Sequence, residues 1–102
     1  MIGRLWRGWT SAENADLYEE LLRGEVLPGI HRIPGYLGAY ALRREVAEGA
    51  EFVTLTLWDS MDAVRQFAGE DYETAVVPDK ARALLTRFDR TSAHYEVVLT
   101  PD

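Results

Sequence analysis

The stretch Glu51-Phe-Val-Thr-Leu-Thr-Leu-Trp-Asp-Ser60, followed by the helical pattern Met61–Phe67, decides the fold of this chain. β-Branched and apolar residues alternate with Thr across its first part, which predicts a strand buried on one face and half-covered on the other. Asp59 or Ser60 can accept hydrogen bonds from the N–H groups that begin the next helix. A large indole, Trp58, therefore lies where a strand ends and a helix begins.

The composition is typical of a soluble globular protein. The 102 residues match the length of one ordinary domain, and hydrophobic residues make up 47% of them against 27% charged. No apolar run approaches the roughly 20 residues of a membrane span, and the first residues lack the pattern of a signal peptide. We therefore expect a single cytoplasmic domain over residues 1–102 that does not enter membranes.

Charge and cysteine content exclude several classes of function. The chain has no cysteine, so disulfides, thiolate chemistry and Cys-ligated metal sites are absent. The net charge of −6 opposes attraction to phosphate backbones, and we expect no nucleic-acid partner. Arg43-Arg44 is the one compact basic feature, and it either steers an anionic ligand or pairs with nearby acids; we favour the pairing.

Periodicity and turn residues give the order of the elements. Strands are predicted at Ile2–Trp9, Tyr36–Arg44, Glu51–Trp58 and Ala93–Thr100. A first helix is predicted from the capping box Thr10-Ser-Ala-Glu13 to Pro28-Gly29. The second helical region is predicted as Met61–Ala68, a further turn within Tyr72–Val77, and, after Pro78, a helix marked by Ala81, Leu84, Leu85 and Phe88.

This order of strands and helices is that of a ferredoxin-like α+β fold, a four-stranded antiparallel sheet with both helices on one face. If Val53, Leu55 and Leu57 face the helices, the opposite face of the sheet is too apolar to remain exposed to solvent. Its expected residues are Phe52, Thr54, Thr56 and Trp58, with Tyr36, Tyr40, Leu42, His94 and Val98 from neighbouring strands. A homodimer in which two such faces pack together by twofold symmetry would cover them.

Nearly the whole chain resembles the antibiotic biosynthesis monooxygenase-type proteins of the dimeric α+β barrel superfamily. The resemblance is carried by four groups of residues: Pro34-Gly-Tyr36, Leu55-Thr-Leu-Trp-Asp-Ser60, Phe67, and His94-Tyr-Glu-Val97. It implies a ferredoxin-like subunit that pairs into a dimeric barrel, with a pocket between each sheet and its helices. The superfamily includes cofactor-free monooxygenases, haem-degrading enzymes, lactone isomerases and members without known activity, so the fold alone does not fix the function.

The haem-degrading branch can be tested against the sequence. The resemblance implies a histidine ligand on a helix, an asparagine on the first strand and a tryptophan at the end of the third. Trp58 matches the tryptophan, but the ligand position falls at about Val77 and the asparagine position near Leu5 or Trp6. Because a haem site needs an axial ligand, haem degradation is disfavoured.

The cofactor-free monooxygenase branch needs a dry pocket, a proton acceptor and donors near the developing oxyanion. Tyr36 and Tyr40 are spaced to share one strand face. The predicted catalytic residues are His94 and Tyr40; the predicted substrate-binding residues are Trp58, Trp6, Tyr36 and Tyr72, with His31 a weaker candidate. For each of these residues a purely structural role is the alternative. The aromatic residues and His94 would pack in the core or at the dimer interface, and His31 would lie in an exposed loop.

The sequence therefore predicts a homodimeric monooxygenase that uses no cofactor and no metal and acts on an aromatic or polyketide-like small molecule. The alternative is a small-molecule-binding or structural barrel without turnover. Motifs for nucleotide binding, serine hydrolysis and zinc ligation are absent from the chain.

Overall fold

The computed structural model describes residues 1–101. The strands are β1 (Ile2–Thr10), β2 (Tyr36–Val46), β3 (Gly49–Trp58), β4 (Leu85–Phe88) and β5 (Ala93–Glu96). The helices are α1 (Ala15–Leu21), a π-helical turn (Leu22–Val26), α2 (Leu27–Ile30), α3 (Met61–Ala68) and α4 (Asp79–Leu84). None of these helices is long and apolar enough to cross a membrane.

The strands form one antiparallel sheet in the order β2-β3-β1-β4, and β5 pairs with the other end of β1. β4 pairs with Gly8–Thr10, whereas β5 pairs with Ile2–Leu5, so the two short strands share one edge of β1. Together they occupy the place of the fourth ferredoxin-like strand. The helices cover one face of this sheet, and the predicted ferredoxin-like α+β fold of the subunit is confirmed, whereas its pairing into a dimeric barrel remains a prediction.

The junction after β3 forms as the sequence predicts. The side chain of Ser60 accepts a hydrogen bond from the backbone N–H of Ala63 at 3.2 Å and caps α3. α3 ends at Ala68, where Gly69 takes a positive φ of 89° that side chains with a Cβ avoid. Trp58 is fully buried at the end of β3.

Several predicted boundaries are wrong. Thr10 belongs to β1 and caps nothing; Ser11 accepts instead from the N–H of Asn14, and α1 begins only at Ala15. The first helical region does not stop at Pro28-Gly29 but continues to Ile30. A π-helical turn leads into α2, and Pro28 is tolerated because it lies in the first turn of α2.

The C-terminal third contains the other differences. Residues 72–77 form no helix: 72 and 73 belong to a turn and 74–77 run as an extended segment, and backbone hydrogen bonds tie this stretch to Arg90 and Ser92. Leu85 and Phe88 belong to β4, since α4 stops at Leu84, and the last strand ends at Glu96. The β-branched and aromatic residues of Thr86-Arg-Phe88 suit a strand next to β1 better than a continuation of α4.

The predicted parity of the sheet faces is reversed. Phe52, Thr54, Thr56 and Trp58 face the helices, where Tyr18 packs edge-on against Phe52 and Phe67 stacks on Trp58. Each face of β3 has large apolar residues, Phe52 and Trp58 on one and Val53, Leu55 and Leu57 on the other, so the pattern did not show which face the helices cover. The large rings fill the space between sheet and helices, and the aliphatic residues remain on the other side.

The uncovered side of the sheet, which we call the open face, is apolar. The cross-strand pairs Leu5–Leu55, Tyr40–Leu55 and Leu42–Val53 place their side chains on it, together with Leu57 and Tyr95 on either side of Gly3. Tyr40 and Leu42 are each 54% exposed and Tyr95 is 58% exposed. Tyr36 and His94, predicted for this face, lie on the helix side instead.

Tyr36 and Tyr40 were expected on one face, but a bulge separates them. Tyr36 pairs with Trp58, whereas Gly38 pairs with Leu57, so one extra residue of β2 is inserted between them. Because each inserted residue inverts the alternation of side chains, Tyr36 points toward the helices and Tyr40 toward the open face. Gly38 adopts a φ of 142° at this bulge.

Candidate functional site

A cavity of about 300 Å³ lies between the sheet and the helices. Its lining is mostly apolar and aromatic, with Trp6 from β1, Tyr18 from α1, Phe67 from α3 and Ala81 from α4. The extended residues 76–78 close one side. The cavity lies at the lower end of the range for small-molecule sites, roughly 300–1,000 Å³. The pocket between sheet and helices expected from the family resemblance is present.

Arg4 brings a charge into this apolar lining. Its side chain projects from β1 into the cavity wall, and the residue is only 4% exposed. The guanidinium donates to the backbone oxygens of Tyr72 and Thr74 and contacts Nε2 of His94 at 2.9 Å. Burial lowers the pKa of Arg4, yet an arginine side chain stays charged in proteins. The cavity therefore has a permanent cation in its wall.

Aromatic rings support Arg4 from one side. The guanidinium carbon lies 5.6 Å from the centre of the Phe67 ring, a cation–π distance, and Phe67 in turn stacks on Trp58 with ring centres 5.2 Å apart. The Trp58 indole donates to the hydroxyl of Thr56 at 2.8 Å. Trp58 thus acts behind the cavity wall by fixing Phe67 and Thr56, which line it.

His94 lies next to Arg4 rather than in the cavity lining. Because an arginine only donates, Nε2 of His94 must be the acceptor in their contact, and the ring proton is on Nδ1. Burial lowers the pKa of His94, the Arg4 charge lowers it further, and Glu73 opposes both. His94 is therefore neutral at pH 7. Its bond to Arg4 occupies the lone pair that a general base would need.

This arrangement predicts a histidine-dependent loss of stability in mild acid. The pKa of His94 is lower in the folded state, so protonation favours unfolding, and stability falls as the pH drops through about 6.5, the unfolded value. Chemical denaturation at pH 7.5 and pH 5.5 should show a smaller loss in His94→Gln than in the wild type. His31→Gln, at an exposed position, is the matched control. An equal loss in the wild type and His94→Gln would contradict this assignment.

The structure disperses the residues predicted from sequence. Trp6 lines the cavity, and its indole donates to the backbone oxygen of Asp89. Tyr36 packs against Trp58 and His31, with ring centres 5.4 and 5.3 Å away, outside the lining. Tyr72 and His94 meet edge-on beside Arg4, with ring centres 5.2 Å apart.

Tyr40 lies across the sheet from the cavity, on the open face of the same protomer. The cavity geometry gives its predicted catalytic role no support within one protomer. That role remains a prediction, as do the roles of the other residues chosen from sequence.

Sequence reasoning missed Arg4, Tyr18 and Thr54. The hydroxyl oxygen of Thr54 is buried and has no hydrogen-bond partner within residues 1–101, although Thr54 lines the cavity. β1 contains two arginines, Arg4 and Arg7, and no local pattern distinguished the buried Arg4 from the exposed Arg7.

The fold and the site together define a class of protein: a ferredoxin-like α+β domain with an apolar cavity between its sheet and its helices. The protein-family model for antibiotic biosynthesis monooxygenase matches residues 1–79. The chain belongs to this family. No curated protein matches it.

Solved structures of this fold are similar over nearly the full chain. A mutant of MhuD, the heme-degrader of Mycobacterium tuberculosis, has 22% identity and a TM-score of 0.71, covering 100% of this chain and 99% of its own. A mutant of SnoaB, a cofactor-independent oxygenase from Streptomyces nogalater, has 17% identity and a TM-score of 0.68, covering 97% of this chain and 94% of its own. A Bacillus cereus protein of the antibiotic biosynthesis monooxygenase type has 17% identity and a TM-score of 0.66, covering 100% and 95%. At these identities the likeness establishes the fold.

The residues of the cavity do not fit a haem iron. His, Cys, Met and Tyr are the usual axial ligands, and Tyr18 is the one such residue among the described lining. Burial raises the pKa of Tyr18, which keeps it a neutral phenol and a poor ligand. Val77, at the position where the family resemblance expects the ligand histidine, lies in the extended segment before α4 and lines the cavity. Within residues 1–101 no cluster of His, Asp or Glu side chains could hold a metal ion.

Proposed function

We propose that the protein is a cofactor-independent monooxygenase that oxidises a planar aromatic or polyketide-like molecule in the cavity between its sheet and helices. Family membership supports the reaction class. The observation that carries the proposal is the apolar, aromatic-walled cavity with one buried cation, Arg4, in its lining.

The proposed reaction converts an activated CH₂ group, such as that of an anthrone, to a carbonyl with dioxygen. The substrate loses a proton, its carbanion donates electrons to oxygen, and a peroxide forms at that carbon. The peroxide then loses water, so one oxygen atom stays in the product and the other leaves with the two hydrogens. No external reductant is needed.

The chain's own residues would supply the environment for this reaction. Trp6, Tyr18 and Phe67 offer flat apolar surfaces and exclude water from a bound ring. The positive charge of Arg4 stabilises negative charge that develops on the substrate oxygen, and in a dry site this effect is stronger than in water. His94 accepts a hydrogen bond from Arg4 and so helps to fix the guanidinium as a positioning residue.

The assembly proposed for this enzyme is a homodimer formed through the open face. Leu5, Leu55 and Leu57 at its centre and Tyr40 and Tyr95 around them would be covered by the same residues of a second copy. Contiguous apolar surface of this kind on a small protein marks an interaction site, and a twofold axis makes the patch complementary to itself.

The reaction is tested with anthrone as substrate, in the presence of a chelator and without added flavin. We expect oxygen uptake and anthraquinone formation in equal amounts. Val77→Trp, which fills the cavity from the extended segment, should abolish this turnover. Val98→Trp is the matched control, because Val98 is 82% exposed and does not line the cavity.

A wild-type protein that gives no oxygen uptake above background would contradict the monooxygenase. If anthrone binds in the cavity and is recovered unchanged, the alternative function, a small-molecule-binding barrel without turnover, is supported instead.

A further inference from the structure

Arg4 is a buried cation whose hydrogen-bond partners are all neutral. They are two backbone oxygens and the neutral imidazole of His94, and within residues 1–101 no carboxylate forms an ion pair with it. Arginines that do form ion pairs, such as Arg43 and Arg87, lie at the surface and contact Asp or Glu. Burial of a charge without a counter-charge is costly, because the hydration that it loses is not replaced by an opposite charge.

The hydrogen-bonding capacity of Arg4 is also not filled. A guanidinium has five N–H donors. Nη1 makes two contacts and Nη2 makes one, and no contact from Nε is found within residues 1–101. Arg4 lines the cavity, so the unused donors are available to a molecule that binds there.

A second polar group in the lining lacks a partner. The buried hydroxyl of Thr54 makes no hydrogen bond within residues 1–101, whereas the hydroxyl of Thr56 next to Arg4 on the ladder already accepts from Trp58. Buried hydroxyls are nearly always hydrogen-bonded in folded proteins. Thr54 and Arg4 are therefore two polar groups of one wall whose hydrogen-bonding capacity is not filled by the described residues.

The acidic residue in the lining does not neutralise Arg4. Glu25 contributes to the wall, but both of its carboxylate oxygens lie 3.1 Å from the ammonium of Lys80 on α4. This pair is neutral as a unit. The cavity consequently has one uncompensated charge, which is positive.

We propose that the cavity binds planar molecules that carry an ionised oxygen, a carboxylate or the conjugate base of an acidic phenol or enol, with that oxygen at the Arg4 guanidinium. This inference rests on the proposed function for the planar part of the molecule and names the class of substrate. It also answers how a substrate ionises when His94 has no available lone pair. An acidic substrate gives its proton to water, and the Arg4 charge favours binding of the resulting anion over the neutral form.

Binding of 2-naphthoate and of its neutral isostere 2-naphthamide, measured by titration calorimetry, tests the proposal. The two probes share ring and shape and differ in charge. We expect the wild type to bind naphthoate about tenfold or more tightly than naphthamide, as a charge-assisted hydrogen bond in a dry site implies. Arg4→Gln should bring the two affinities close together, and Arg4→Lys should keep the preference for the anion.

Arg82→Gln is the matched control, since it removes the same charge from an exposed position on α4. It should leave the preference unchanged. The comparison of the two probes on the wild type stands by itself if Arg4→Gln fails to fold. A wild type that prefers the amide, binds both equally or binds neither overturns the proposal.

The probes are not oxidised, so this result is independent of turnover. A strong preference for naphthoate in a protein that never consumes oxygen would contradict the monooxygenase and leave the anion site established. Turnover of anthrone together with equal binding of the two probes would support the monooxygenase and contradict the anion site.

Discussion

Trp58→Ala should lower the free energy of unfolding by about 3–5 kcal/mol, the cost of truncating a large buried aromatic side chain. Trp58 is completely buried, stacks on Phe67, meets Tyr36 edge-on and donates to Thr56. Its removal leaves a void next to the cavity wall and frees the Thr56 hydroxyl. Urea unfolding followed by circular dichroism, at one fixed protein concentration, measures the loss.

Leu99→Ala is the control for this measurement. Leu99 is 88% exposed, and its truncation should change stability by no more than about 0.5 kcal/mol. A Trp58→Ala protein as stable as the control would show that the indole contributes little to the core. Because Trp58 lies behind the lining, we expect its effect on ligand affinity to act through the displaced Phe67, and Phe67→Ala should weaken binding of planar ligands in the same direction.

Tyr40→Asp should separate the proposed dimer into protomers. Tyr40 is 54% exposed in the protomer, so the substitution costs the isolated fold little. In a sheet-to-sheet interface it would bury an unpaired charge at a cost of several kcal/mol in each subunit. Sedimentation should report twice the 11.6 kDa chain mass for the wild type and the single mass for the variant at micromolar concentration.

Two controls make this result specific to the open face. Tyr40→Phe keeps the apolar ring and should remain dimeric. Ala83→Asp adds the same charge at an exposed position of α4 and should also remain dimeric. A wild-type protein that sediments as a folded monomer would exclude the sheet-to-sheet assembly altogether.

The sequence predicted the elements that local patterns determine. The junction from Trp58 through Ser60 to α3 and the strands β1 to β3 follow from caps, turn residues and β-propensity, which act over a few residues. The boundaries failed where tertiary contacts decide. Leu85 and Phe88 continue the helical spacing of α4, but β1 offers an unpaired edge, and the chain changes to a strand to pair with it.

Which face of the sheet the helices cover, and which residues form the site, could not be predicted for a related reason. Both faces of β3 have large apolar residues, so only the packing of Phe52 and Trp58 under the helices distinguishes the faces. The bulge at Gly38 reverses Tyr36 relative to Tyr40. Arg4 went unnoticed because its surroundings come from residues 72–74 and 94, far away in the sequence. Arg43-Arg44 drew attention instead, and these two residues pair with acids as favoured.

The three tryptophans lie in three different environments, which makes the intrinsic fluorescence of the protein a reporter with separable signals. Trp9 is covered by the guanidinium of Arg87, 3.7 Å above its ring, and Trp58 is sealed in the core. Trp6 alone among them lines the cavity. A ligand that enters the cavity therefore changes the emission of Trp6 directly, whereas a second copy on the open face changes it only through the sheet. Occupancy and assembly can be followed in one cuvette without a label.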